Sequence, residues 1–545
     1  MDAMAGFGGR SRSRYRRCSS HGGLNVHSKA NLGVAGVKIQ GAASLYRAAR
    51  WCSLAIVGLA AVAGPSGLGL RNCSPAASGW GVAAAQPLQT ELRQALSAAR
   101  LGPVEIAVCI VDIDSGQTLA ALNERAAVIP ASNLKVLTSG AALITLGKDF
   151  QFQTRFVLSD STLFVVGDGD PGFADPKLLE ETGTTLAEFV DRIASEIVAR
   201  GGNNIKEIVL DDRVFDREAI HSSWPKNQLD AWYCAPVSGL NFHTNCVEFY
   251  ISPSSRVGGP PSVRAVPGGA FLEIRNTART VATESSDPHI ARGDRNSYTV
   301  SGSISTKLRQ SEPIEVTMAD PAMLFGQVLA ERLEGRGAAG KPVVRMVAAG
   351  EQVDLTKTVA VVSTPLDAAL KRCNVNSQNL YAESLMKRMG KAISGQPGSW
   401  QGGAAVVRML VTERLGTDAG ELVLSDGSGL SRENRVTVGL LASWLASMAK
   451  DPRHGDAFVA SMADNRSGKI AERFKGRKLT NLVHAKTGFI NGVQSLSGYV
   501  TNTDSGKRVA YSVIINNTQK ASPGARVKEF HEDVVQIVDR HLSGK

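Results

Sequence analysis

The chain has no cysteine pair at C-x-x-C spacing and no H-E-x-x-H, so nothing in it spells a zinc site. Its nine histidines are scattered, with no serine–carboxylate pattern around them. No metal and no cofactor is expected. The stretch "DGSGLS" is not a G-x-S-x-G nucleophile elbow, because Asp426 stands where the first glycine belongs. Positive charge is scarce once the beginning is set aside. Residues 1–50 hold nine Lys/Arg against Asp2 alone, and Arg71 is the next, so of the formal +11 only about +2 remains beyond residue 85. That balance gives no nucleic-acid surface. A long apolar run is also missing: "CSLAIVGLAAVAG", Cys52 to Gly64, falls short of the ~20 residues of a comfortable membrane span.

What the beginning does hold is the layout of an export signal. Arg47 and Arg50 precede the apolar run, and small residues follow, with cleavage expected after Ala63 or after Ala85. Cys73 lacks the small residues that precede a lipid-modified cysteine. Residues 1–85 are therefore read as a largely disordered basic leader and export signal. The protein is expected outside the cytoplasm, in the periplasm or cell envelope; a loose membrane association through the leader stays open. In that compartment Cys234 and Cys246 could pair as a disulfide or remain buried thiols.

Two glycine-rich stretches resemble phosphate loops and fail on chemistry. "GDGDPG", Gly167 to Gly172, places two aspartates against a pyrophosphate, and Pro171 removes a needed N–H, so a turn is expected. "GRGAAGKP" has Pro342 where a magnesium-binding hydroxyl belongs, and it leads into a strand-like run.

The periodicity outlines an α/β (α+β) chain. Leu88, Leu92 and Leu96 recur one helical turn apart, and "VEIAVCIVDIDSGQTLAALN" reads as a hairpin. Residues 86–152 form the first part of one domain. Residues 153–345 change texture to short β-like runs punctuated by Gly and Pro, an insertion. Residues 346–545 return to helices, then two strands joined by "TDSGK", then a last helix.

A serine with a lysine three places later shares a helix face with it. That spelling occurs four times: Ser132–Lys135, Ser223–Lys226, Ser384–Lys387 and Ser447–Lys450. Ser132 follows Pro130 and opens an apolar-periodic run, so it can sit at a helix N-terminus, where the dipole favours developing negative charge. Ser384 and Ser447 lie inside helical patterns, where such pairs are solvated. Two single-copy motifs follow: Ser377–Gln378–Asn379, roughly 240 residues on, and Lys486–Thr487–Gly488, about 110 further.

S-x-x-K, S-x-N and K-T-G together mark penicillin-binding proteins and β-lactamases. The blocks "IPASNLKVLTSGAAL", "GDGDPGF", "WYCAPVSGLNFHTNCV", "NSQNLYAESLMKRMG", "LSDGSGLSRENRVT", "HAKTGFINGVQSLSGYV" and "YSVIINN" carry the resemblance further. Over about residues 88–540 the chain closely resembles the S13 peptidases, D-alanyl-D-alanine carboxypeptidases/endopeptidases of the class C penicillin-binding type. The resemblance implies a transpeptidase-like domain, with an antiparallel sheet, helices on both faces and a helical subdomain, interrupted by the insertion. It implies peptidoglycan stem peptides as substrate and β-lactams as covalent inhibitors. It makes Ser132 the nucleophile and Lys135 its base. Ser377 would relay a proton, Asn379 would hold the substrate amide, and Lys486 with Thr487 would meet the substrate carboxylate. Gly488 completes that motif, and the N–H groups of Ser132 and Phe489 would form the oxyanion hole. Asp211 would contact a substrate amino group. Phe489 departs from the family, which carries Thr or Ser there; a hydroxyl for the terminal carboxylate is lost, and relatively more cross-link cleavage is expected. The competing readings are a catalytically silent peptidoglycan-binding protein and a β-lactamase or esterase on the same fold.

Overall fold

A computed structural model describes residues 38–40, 82–310, 312–416 and 422–544. The export signal at Cys52–Gly64 and both expected cleavage points lie outside the described residues or their side chains.

The main sheet has six antiparallel strands. Their order is Ala463–Asp464, Leu482–Ile490, Val493–Thr501, Arg508–Asn516, Glu105–Asp112 and Thr118–Leu122. The strand Arg508–Asn516 is buried nearly throughout, as its unbroken run "VAYSVIIN" requires of a strand covered on both faces. Helices Val82–Ala99 and Val527–Leu542 cover one face, burying Leu88, Leu92, Phe530 and Val534 against it. The other face meets a helical layer that includes Lys135–Leu146, Asn379–Ser394, Trp400–Leu415 and Val438–Ala449, with Trp400, Trp444 and Tyr381 in its core. This is the α+β arrangement that the periodicity and the resemblance called for.

Between the hairpin and the later helices, the chain builds most of a second six-stranded sheet, whose order is Lys38–Gln40, Thr358–Pro365, Gln151–Ser159, Thr162–Val166, Ile205–Asp211 and Ala339–Met346, with Lys38–Gln40 coming from ahead of the hairpin. Two of its pairings are parallel. Parallel neighbours need a crossover, and helices Leu186–Ala199 and Pro321–Glu334 supply them. The β-rich reading of residues 153–345 did not mark these helices. Thr358–Pro365 pairs with Gln151–Ser159, so the inserted layer extends past residue 345. Two small sheets complete it.

This layer grips helix Asn379–Ser394 along one side. Tyr381 donates to Asp175 (2.5 Å), Asn241 to Ser384 (3.3 Å), Lys387 to Asp216 (2.5 Å) and Arg388 to Asp168 (3.0 Å). Positions 381, 384, 387 and 388 recur at helical spacing, which puts all four on one face. The aspartates of "GDGDPG" thus have structural partners: Asp168 pairs with Arg388, while Asp170 accepts from Thr364 and the Gly172 N–H. Cys234 and Cys246 are both free, buried thiols, which decides the open cysteine alternative against a disulfide. Cys234 packs in the helical core, whereas Cys246 opens a strand paired with Ile314–Thr317.

Candidate active site

Ser132 lies on a 3₁₀ turn, Ala131–Leu134, directly before helix Lys135–Leu146. The turn is enclosed by two glycines. A Cβ on Gly488 would come within 3.0 Å of the Ser132 backbone nitrogen, and one on Gly429 would drive into the Ala131 carbonyl oxygen. Only glycine lets strand Leu482–Ile490 and the loop at 427–429 close on the serine from both sides.

Lys135 is fully buried. Its Nζ donates to Ser132 Oγ (2.9 Å), Asn379 Oδ1 (2.7 Å) and the Ser428 carbonyl (2.9 Å). All three acceptors are neutral. Burial therefore pulls the lysine down to about 8, although Cys373, Glu383 and Asp426 nearby pull the other way. Lys486 sits opposite, donating to Ser377 Oγ (2.8 Å) and the Thr487 carbonyl (2.7 Å). Burial, then the charge of Lys135, holds it well below the ordinary lysine value. Ser377 adopts a positive φ of 58° at the entry to helix Asn379–Ser394, a strained backbone of the kind that gathers at functional sites. Asn379 spans the gap between layers: it accepts from Lys135 and donates to the Tyr233 carbonyl (2.8 Å).

These groups open on a cleft of about 1120 Å³. Ser132, Ser377, Asn379 and Thr487 lie along it. Trp232 and Tyr233, from residues 153–345, and Phe489 and Ile490 also line it, and Arg432 and Glu433 add charge to the wall. Phe489 is 71% exposed, an apolar lip where a hydroxyl was expected from the resemblance. A serine beside a lysine of lowered pKa, with a second buried lysine and serine facing it, is a constellation for nucleophilic acyl transfer.

The D-Ala-D-Ala carboxypeptidase 3 (S13) family model matches residues 88–538. The chain belongs to this family. It is 30% identical over 471 residues to a D-alanyl-D-alanine carboxypeptidase of Actinomadura sp. (strain R39), covering 80% of this chain and 82% of that one. It is 26% identical over 427 residues to the D-alanyl-D-alanine carboxypeptidase DacB of Haemophilus influenzae, covering 74% and 84%. The crystal structure of penicillin binding protein 4 (dacB) from Haemophilus influenzae superposes with a TM-score of 0.66 at 23% identity, over 83% of this chain and 99% of that one. That likeness shows a shared fold.

The other S-x-x-K spellings of this S13 chain go elsewhere. Ser223 reaches the cleft, but its hydroxyl bonds His221 Nδ1 (2.8 Å) and Ser431 Oγ (2.7 Å) rather than Lys226. Ser447 accepts from Arg414, and Lys450 donates to the Asp114 carbonyl at the surface. The reading of Ser384–Lys387 as a solvated pair is corrected: both are fully buried, because Asp216, the Glu218 carbonyl and the Trp400 ring replace water around the lysine. Asp211 is not brought to the cleft. Arg213 takes both of its carboxylate oxygens, at 2.9 and 2.6 Å. The loop at Asp426–Gly429 is what sequence reasoning missed. It was weighed as a failed elbow and counted as a block of the resemblance, with no role at the site, although its two glycines signalled a close backbone approach.

Proposed function

We propose that this protein is a serine DD-peptidase of peptidoglycan stem peptides, acting through an acyl-enzyme on Ser132. The observation that carries the reading is the 2.9 Å contact between Lys135 Nζ and Ser132 Oγ, made by a lysine with no carboxylate bonded to it. With Lys135 neutral, the same contact runs the other way, from the serine hydroxyl to the amine. Lys135 takes the proton as Ser132 Oγ attacks the carbonyl carbon of the D-Ala–D-Ala bond. The N–H groups of Ser132 and Phe489 receive the developing oxyanion, and a backbone donor at 489 survives any side chain. The Lys486–Ser377 pair delivers a proton to the departing amine. D-Alanine leaves, and water then hydrolyses the ester. Asn379 donates one amide hydrogen to Tyr233, and its second is offered to the substrate amide. Lys486 and Thr487 meet the terminal carboxylate, and a β-lactam acylates Ser132 by the same attack.

The substrate belongs to the cell envelope, and export through the leader brings the enzyme to it; among the described residues no helix is long and apolar enough to cross a membrane. Phe489 adds a preference within this activity. Without a hydroxyl there, the free C-terminal carboxylate loses a partner, and cross-links are cleaved relatively more.

Mass spectrometry of the protein after treatment with a fluorescent penicillin tests the reading. One adduct on the Ser132 peptide is expected, lost in Ser132→Ala. Folded protein that takes no label, or label that persists in Ser132→Ala, overturns it. Rapid nitrocefin turnover without a lasting adduct would instead mark a β-lactamase.

A further inference from the structure

Glu383 is a fully buried carboxylate for which the peptidase chemistry gives no role. It stands one helical turn after Asn379 on helix Asn379–Ser394, and i, i+4 positions share a face. Its oxygens accept three N–H groups: Gly427 (2.7 Å), Ser428 (2.9 Å) and Trp400 Nε1 (2.8 Å). Three donors and no acceptor favour the ionised form, against burial and the neighbouring Asp426, which push this carboxyl up to about 7. Asp426 closes the other side of the same loop, accepting from the N–H groups of Gly429 (2.9 Å) and Ser431 (2.7 Å) and from Trp224 Nε1 (2.9 Å). Two buried carboxylates, each bonded to an indole, thus hold the loop at 426–431. The loop returns one group to the reacting centre, the Ser428 carbonyl, which accepts from Lys135.

The consequence follows from counting hydrogens. A neutral lysine amine has two hydrogens and one lone pair. Lys135 has three contacts: Ser428 O, Asn379 Oδ1 and Ser132 Oγ. The first two can only accept, so they take both hydrogens, and the lone pair is left facing the serine hydroxyl. Both acceptors depend on one helix, Asn379 directly and Ser428 through Glu383. We propose that Glu383 is a positioning residue for the general base: by fixing the Gly427–Ser428 turn it aims the Lys135 lone pair at Ser132.

The proposal rests on the peptidase reading above, and its test separates the two. Acylation by a fluorescent penicillin is followed by stopped flow, per active site, and resolved into the binding constant K and the acylation rate k2. Glu383→Gln keeps the volume but turns an NH2 toward N–H donors. We expect k2 to fall about 100-fold, the scale of a misplaced reacting group, with K within about threefold. Trp400→Phe keeps an aromatic ring and the Glu383 charge but removes one donor; k2 should fall about fivefold. A merely structural role for Glu383 would lower the folded fraction or raise K while leaving k2 per site unchanged, and that result overturns the proposal. Should Glu383→Gln not fold, Trp400→Phe with the k2 of the unmodified protein overturns it equally. Unmodified protein that takes no label fails the peptidase reading and this one together; labelled protein with unaltered variants fails this one alone.

Discussion

Two Ser-x-x-Lys pairs in this protein have a fully buried lysine, and they differ in what surrounds it. Lys135, at the start of helix Lys135–Leu146, has only neutral acceptors within hydrogen-bond reach. Lys387, in the middle of helix Asn379–Ser394, has Asp216 at 2.5 Å, the Glu218 carbonyl at 2.6 Å and the face of Trp400 at 3.8 Å. Spacing brings serine and lysine to one side in both cases. The partners then differ: burial lowers both lysines, but at Lys387 the bonded carboxylate of Asp216 opposes that shift, while no carboxylate is bonded to Lys135. Their serines diverge accordingly. Ser132 bonds its lysine and lies along the cleft, whereas Ser384 accepts from Asn241 inside the layer junction.

The sharpest way to break this contrast is to give Lys135 a side chain that cannot lose its proton. Lys135→Arg keeps a cation near Ser132 and removes the group proposed as its base. Penicillin acylation should fall on the order of 10³-fold, the middle of the range for general-base catalysis. Acylation by Lys135→Arg at the rate of the unmodified protein would end the assignment of the base.

The pH dependence sharpens the same point without a mutation. Lys135 must be neutral to take the serine proton, and its folded value lies near 8. Acylation should therefore rise with pH through about 8 and drop about tenfold per unit below it. A flat profile between pH 6 and 9 would place the proton elsewhere. At Lys387 the converse variant is informative. Lys387→Met leaves Asp216 without its cation, and breaking a fully buried pair costs about 3–5 kcal/mol. Asp216 is 30% exposed, so about 2 kcal/mol is expected, read as a lower midpoint in denaturant with k2 per active site little changed.

A smaller effect separates the two ends of the cleft. Phe489→Thr restores a hydroxyl where an exposed apolar ring now stands. One hydrogen bond to the substrate carboxylate, worth about 1 kcal/mol, should shift the carboxypeptidase-to-endopeptidase ratio about fivefold toward carboxypeptidase. Equal ratios for the two proteins would remove Phe489 from the account of specificity.

The contrast also shows which parts of the molecule were legible in the sequence. The hairpin, the closing strands and the terminal helices were, because each announces itself through a local period. The three motifs were legible because two of them occur once, and Ser132 stands behind a proline at a helix start. The rest depends on contacts between distant segments. Glu383 meets the loop at 427–428 only after folding, and Lys387 looked like a surface residue until Asp216 and Trp400 enclosed it. Thr358–Pro365 was assigned to the later helical part because a strand's partner, Gln151–Ser159, cannot be read from the strand itself.

Asp211 supplies the least expected effect and a control for the others. Its residue type suited an amino group of the substrate, but Arg213 binds it at both oxygens, and Arg213 also donates to the Glu351 carbonyl. Glu351 is in turn bonded to Arg345 through both of its oxygens. The carboxylate therefore belongs to a network at the edge of the inserted sheet. Arg213 is 36% exposed there, which limits the pair to about 1 kcal/mol or less. Asp211→Asn should leave KM for a peptidoglycan-derived pentapeptide within about twofold and stability within about 1 kcal/mol. A tenfold rise in KM at unaltered stability would mean that Arg213 yields Asp211 to the substrate, so that the inserted layer reads the peptide through a group the unliganded protein keeps paired.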